Sequence, residues 1–234
     1  MPSDDPFWSS FIEGTDQVLR QTAEITAEPD ALSARFFAAE VLSSEPVSGL
    51  TFGLPYCSVD PSVFADIRGA ILRGRIRMRI MGPGDPDFHL AHAVYVPGDD
   101  MMKIADGKWD KRHRFRTAIV HEAVHAHHDM MGRTDLRVHQ SEAAAYIAET
   151  VFTRSWTPYT KNDIRPQFLC DPHNTDYNDI FGPAWELALR IVDRGETTIV
   201  EGDPDLMDLQ EAIRGSDIYK DNCDQMITAD RIRW

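Results

Sequence analysis

The sequence predicts an α+β fold with helix in the majority, on three observations. Several stretches place apolar residues three and four apart, the spacing of one face of a helix. The run Arg75-Ile76-Arg77-Met78-Arg79-Ile80 alternates strictly between basic and apolar residues, the period of a half-buried strand. Two further apolar runs flank the turn Pro97-Gly98-Asp99-Asp100 and read as a β-hairpin.

Each element follows from local signals. Phe7 to Ile25 is the first expected helix, with Phe7, Phe11, Val18 and Ile25 on its apolar side. The second runs from Asp30 to Leu42, with Asp30 as N-cap and Leu32, Phe36, Phe37 and Val41 as its stripe. Pro46 to Pro61 is punctuated by Gly and Pro and reads as loop. Pro61 to Arg73 returns to helical spacing through Val63, Ile67, Ala70 and Ile71. The arginine strand comes next, its charged face either solvated or a cationic wall for acidic ligands, and Gly82 to Pro86 is a turn. His92 to Val96 and Met101 to Ile104 make the hairpin. A helix from Lys111 to Met131 ends at Gly132, a residue suited to the left-handed C-terminal position. Asp135 to Phe152 is the following helix; past Trp156 the chain is loop-rich through Pro158, Pro166 and Pro172. Helices over Pro183 to Asp193 and Pro204 to Ile213 complete the order.

Composition bounds the function. The chain has 234 residues, 42% hydrophobic and 26% charged, enough for a sizeable core and read as a single domain over residues 1–234. A net charge of −14 argues against a general nucleic-acid binder. No apolar run approaches the roughly 20 residues of a membrane span, so no membrane partner is expected. Acidic residues concentrate between Glu201 and Asp230, where a basic protein partner would dock. The three cysteines, Cys57, Cys170 and Cys223, are scattered and odd in number, which fits reduced thiols. The opening Met1-Pro2-Ser3-Asp4-Asp5 has neither the basic nor the apolar region of a secretory signal, so the expected location is cytoplasmic, with export by a dedicated machine compatible.

One segment carries chemistry: His121-Glu122-Ala123-Val124-His125, inside an apolar helical stretch. Residues four apart share a helix face, so His121 and His125 can hold one ion from successive turns. Glu122 sits one residue round, offset from the ion, where it suits a general base acting on metal-activated water. A chance match to this pattern has a probability of roughly one in fifty for this composition, so its context matters. A catalytic zinc takes three protein ligands and keeps one position open. His128, Asp129, His139, Glu142, Glu149 and His173 are available for the third place. Glu142 fits best: an antiparallel second helix climbs back about seven residues, ~10 Å, to the level of His125. Ala143, Ala144 and Ala145 let that helix approach closely. Glu149, two turns on, reads as a carboxylate behind the ligands or on the surface. His127 and His128 read as bystanders, and Cys57 and Cys170 as structural thiols. Tyr95, Tyr146, Tyr159 and His173 are the candidates for stabilising an oxyanion.

His121-Glu122-Ala123-Val124-His125 followed by Glu142-Ala143-Ala144-Ala145 resembles the gluzincin branch of the zincin metallopeptidases, and most closely small bacterial zincin-like proteins. The likeness covers about residues 91–152, although the gap from His125 to Glu142 is shorter than in well-studied gluzincins. It implies a zincin-like fold, a small strand hairpin packed on a metal-binding helix pair. It also implies Zn²⁺ held by His121, His125 and Glu142, with Glu122 as the base that activates water against a peptide or protein substrate. An edge strand beside the metal helix would hold an extended substrate; both the His92–Val96 strand and the Arg75–Ile80 strand are available for this. The expected activity is therefore zinc-dependent peptide hydrolysis. A catalytically idle zincin-like binding module, or an exported effector using the same site, stand as alternatives.

Overall fold

The computed structural model describes residues 29–88, 91–105, 113–156 and 175–228. The expected helix Phe7–Ile25, Cys170, Tyr159 and His173 lie outside them. Within them the chain is α+β with helix dominant. The helices are α1 (Pro29–Val41), α2 (Glu45–Ser48), α3 (Pro61–Leu72), α4 (His113–Met130), α5 (Val138–Trp156), α6 (Thr175–Arg194) and α7 (Pro204–Gly215). The strands are β1 (Phe52–Gly53), β2 (Ser58–Val59), β3 (Arg77–Met81), β4 (Ala93–Val96) and β5 (Met101–Ala105).

The arginine alternation forms β3 as expected: Ile76, Met78 and Met81 are buried while Arg77 and Arg79 face solvent. Its first two residues belong instead to the exit from α3, where the N–H groups of Arg75 and Ile76 donate to Ala70 O. β4 and β5 pair antiparallel with Ala93 opposite Ile104, and β3 joins the other side of β5 in parallel with Arg77 opposite Met101. The sheet order is thus β3-β5-β4, with β4 an edge. α3 starts where Asp60 accepts from Ser62 N at 2.7 Å and Pro61 supplies the preset first helical φ. Val63, Phe64, Ile67, Ala70 and Ile71 then bury one face.

Further expectations need correction. Pro46 to Pro61 is not one loop, since α2 opens it and β1 pairs with β2, Phe52 opposite Val59. Phe52 and Val59 reach the core, and that burial outweighs the turn residues around them. Asp30 lies inside α1 rather than capping it, and Phe36 is 60% exposed, leaving Phe37 and Val41 as the buried side. α6 runs from Thr175 through Pro183 rather than starting there. Pro183 costs one backbone hydrogen bond. Burial of Ile180, Phe181, Ala184, Trp185, Leu187, Ala188 and Ile191 along one face holds the helix continuous across it.

α4 and α5 form the centre. Ile119, Val120, Ala123, Val124 and Ala126 of α4 belong to the same buried cluster as Ala143, Ala144, Ala145, Ile147 and Ala148 of α5. The connection closes at Gly132, φ 63°, where Gly132 N donates to Asp129 O and Arg133 N to His128 O. Those two bonds satisfy the last carbonyls of α4 and reverse the chain. α5 begins at Val138, three residues later than the sequence suggests. Among the described residues, no helix is long and apolar enough to cross a membrane.

Candidate metal centre

The antiparallel return of α5 brings Glu142 level with the histidine pair of α4. His121 Nε2 and His125 Nε2 lie 3.2 Å apart. Glu142 places Oε2 at 3.3 Å from His121 Nε2 and Oε1 at 3.4 Å from His125 Nε2. These three residues form the one His/Cys/Asp/Glu group among the described residues whose ligand atoms converge closely enough for a metal. Tetrahedral zinc with ligand bonds of 2.0–2.1 Å would separate its donor atoms by about 3.3–3.4 Å. The nitrogen–nitrogen spacing is close to that edge length, and Glu142 turns one oxygen toward each histidine.

The hydrogen bonds behind the ligands set their lone pairs. His121 Nδ1 is 3.2 Å from Glu149 Oε2, a carboxylate that can only accept, so the imidazole proton sits on Nδ1. His125 Nδ1 is 3.0 Å from Ser141 Oγ, which is also 3.0 Å from His128 Nδ1. Ser141 Oγ can accept from His125 and donate to His128, the arrangement that leaves the His125 Nε2 lone pair free. With both rings neutral in these tautomers, as metal binding requires, both Nε2 atoms would turn lone pairs to one another. Glu142 Oε2 is buried with no hydrogen-bond partner. Three lone-pair donors facing one point repel unless a cation sits between them, so the residues fit a divalent metal.

The electrostatics agree. Burial works against a charged His121, yet the carboxylates of Glu142 and Glu149 outweigh it and hold its pKa well above the ordinary histidine value. Burial would raise Glu142, but His125 and His121 pull it below the usual carboxylate range. The spot favours positive charge.

Glu122 stays out of the trio. Its Oε2 accepts from Tyr95 N at 2.8 Å, and burial lifts its pKa above the ordinary glutamate value against the pull of His121 and His125. The β4 geometry explains the contact. Ala105 N donates to His92 O, so in this register Ala93 and Tyr95 turn their backbone groups away from β5. Tyr95 N–H therefore faces α4. Of the two edge strands, β4 is the one bonded to α4.

Other expected residues fall elsewhere. Tyr95 gives its hydroxyl to Asp129 Oδ2 at 2.6 Å. Tyr146 packs its ring edge-on to His121 at 4.7 Å and shares a 3.0 Å hydroxyl contact with Tyr219. Burial pushes both phenols well above their usual pKa, with Glu142 adding to the effect. Tyr219 had no signal in the sequence, since it arrives from 73 residues downstream. His128 is buried, which pushes it down to about 3 and keeps it neutral. His139 donates Nδ1–H to Cys223 O and accepts from Arg214, remote from the trio in role. Burial pushes the Cys57 thiol up to about 12, so it is no nucleophile at neutral pH. Glu149 is buried as a partner of His121 Nδ1 rather than lying on the surface.

Comparison with family models, characterised proteins and solved structures found no match to this chain.

Proposed function

We propose that the protein is a zinc-dependent metallopeptidase of the zincin type. The observation that carries this reading is the convergence of the His121, His125 and Glu142 donor atoms, with Glu122 held beside them by a backbone N–H rather than joining them. A purely structural zinc site closes with a fourth protein ligand and has no use for such a carboxylate.

His121, His125 and Glu142 would hold the metal. Bound zinc supplies Lewis acidity, lowering the pKa of a water molecule and polarising the scissile carbonyl. Glu122 does the proton work: with Oε2 tied to Tyr95, Oε1 takes the proton of the attacking water and delivers it to the leaving amine. Its raised pKa suits a group that must both accept and give up a proton. With the Tyr95 N–H held by Glu122, Ala93, whose backbone groups also turn away from β5, is the β4 position where an extended peptide would pair. The substrate class is thus peptide or protein.

Two measurements test the reading. Elemental analysis should find about one zinc per chain, and His121→Ala/His125→Ala should lose it; full retention would overturn the site. Glu122→Gln keeps size and shape but cannot take a proton. It should keep zinc and melting temperature while cleavage of an unfolded protein falls ~10²–10⁴-fold. A variant that keeps its full biological effect instead favours a zincin-like binding module, with a basic partner on the acidic stretch after Glu201.

A further inference from the structure

Tyr95 is bound to α4 at both of its ends. Its backbone N–H donates to Glu122 Oε2 at 2.8 Å, and its hydroxyl donates to Asp129 Oδ2 at 2.6 Å. Glu122 and Asp129 stand seven residues apart on α4, two turns or about 10.5 Å of rise, and so share a face. Tyr95 therefore lies along α4 like a ruler, main chain at one mark and phenol at the other. The phenol end is dry: Tyr95 is 6% exposed and Asp129 2%. A carboxylate so buried is tolerated only where it is bonded, and a bond to a charged acceptor is among the stronger ones. Asp129 is not among the converging metal-ligand atoms. Pairing with β5 sets which amide of β4 points outward, but it does not set how far along α4 the hairpin sits.

We propose that Asp129 is a positioning residue for Glu122, acting through Tyr95. The phenol locks the hairpin against α4, and the lock places the Tyr95 amide where it orients the Glu122 carboxylate. The kinetic consequence rests on Glu122 being the base of the proposed hydrolysis. The positional claim rests on the two hydrogen bonds alone.

The test follows the backbone amide at position 95 by ¹H–¹⁵N NMR in the zinc-loaded protein, beside steady-state kinetics. That amide should lie downfield in the wild type and move upfield in Glu122→Gln, which identifies its acceptor. It should move the same way in Asp129→Ala and Tyr95→Phe, neither of which alters Glu122. Asp129→Asn keeps an acceptor oxygen and should retain most of the wild-type shift. In parallel, kcat should fall about 10- to 100-fold in Asp129→Ala and Tyr95→Phe with KM and zinc content unchanged, the cost of a misplaced catalytic group. Asp129→Asn should recover the larger part of kcat. An unmoved amide or wild-type kcat in folded, zinc-loaded Asp129→Ala overturns the proposal, as does loss of zinc in that variant. Should Asp129→Ala not fold, Tyr95→Phe and Asp129→Asn carry the same readouts. A wild type without hydrolytic activity but with the amide response intact would remove the hydrolase reading and leave the positioning role standing.

Discussion

Ser141 stands one residue before Glu142, and its hydroxyl lies 3.0 Å from Nδ1 of both His125 and His128. A ligand histidine whose second nitrogen is bonded has a fixed ring plane and tautomer, and losing that partner typically weakens metal affinity 10–100-fold. Ser141→Ala should therefore weaken zinc binding by about that factor in a chelator competition, with the fold unchanged. An unchanged affinity would mean that packing alone orients His125. Glu149 plays the matching part for His121 at 3.2 Å. Glu149 could be suspected from its place two turns beyond Glu142. Ser141 could not, because a helical serine has no spacing rule that ties it to a histidine on another helix.

The helix pair depends on how both ends of its connection are closed. Gly132 adopts φ 63°, a region where a Cβ is strained, so Gly132→Ala should destabilise the protein by about 1–2 kcal/mol. Thermal melting would show this as a lower Tm; an unchanged Tm would mean that the turn relaxes without cost. At the other end Arg137 occupies the N-cap position of α5. Gln140 Oε1 accepts from Arg137 N at 3.0 Å, one half of a capping box. Arginine has no acceptor for the other half. The carbonyls of Gln225 and Cys223 instead accept from Val138 N and His139 N, satisfying the first two donors of the helix. This long-range cap explains why α5 starts at Val138, whereas local signals place the start at Asp135.

Across the molecule, partly and fully buried histidines link stability to pH. Packing against Phe152 and Trp156 buries much of His113 and pushes it down to about 4. His139 is lowered in the same sense, by burial first. The unfolded chain takes up protons on these groups below about pH 6.5, and the fold accepts one on His113 only near 4. The stability they contribute is complete above pH 6.5 and is lost as pH falls from there toward 4. The drop in Tm between pH 7 and pH 5 should thus be larger in the wild type than in His113→Phe, which keeps the ring but cannot titrate. Equal drops would show that His113 is protonated in the fold at pH 5.

The parts of this protein that could be read in advance are those decided within a few turns of chain. The i, i+4 placement of His121 and His125, the offset of Glu122 and the climb of Glu142 back to their level are consequences of helical rise and a short connection, as is the hairpin of its turn. Contacts between distant segments decided the rest. α6 crosses Pro183 because its apolar face is buried, β1 and β2 form because Phe52 and Val59 reach the core, and Tyr219 meets Tyr146 because the chain after α7 returns to α5. The Tyr95 contacts to Glu122 and Asp129 likewise exist only once a strand edge has docked against a helix. Local rules reach no further than neighbouring turns. A side chain that orients another from a different element is chosen by packing, and packing is settled only when the whole chain has folded.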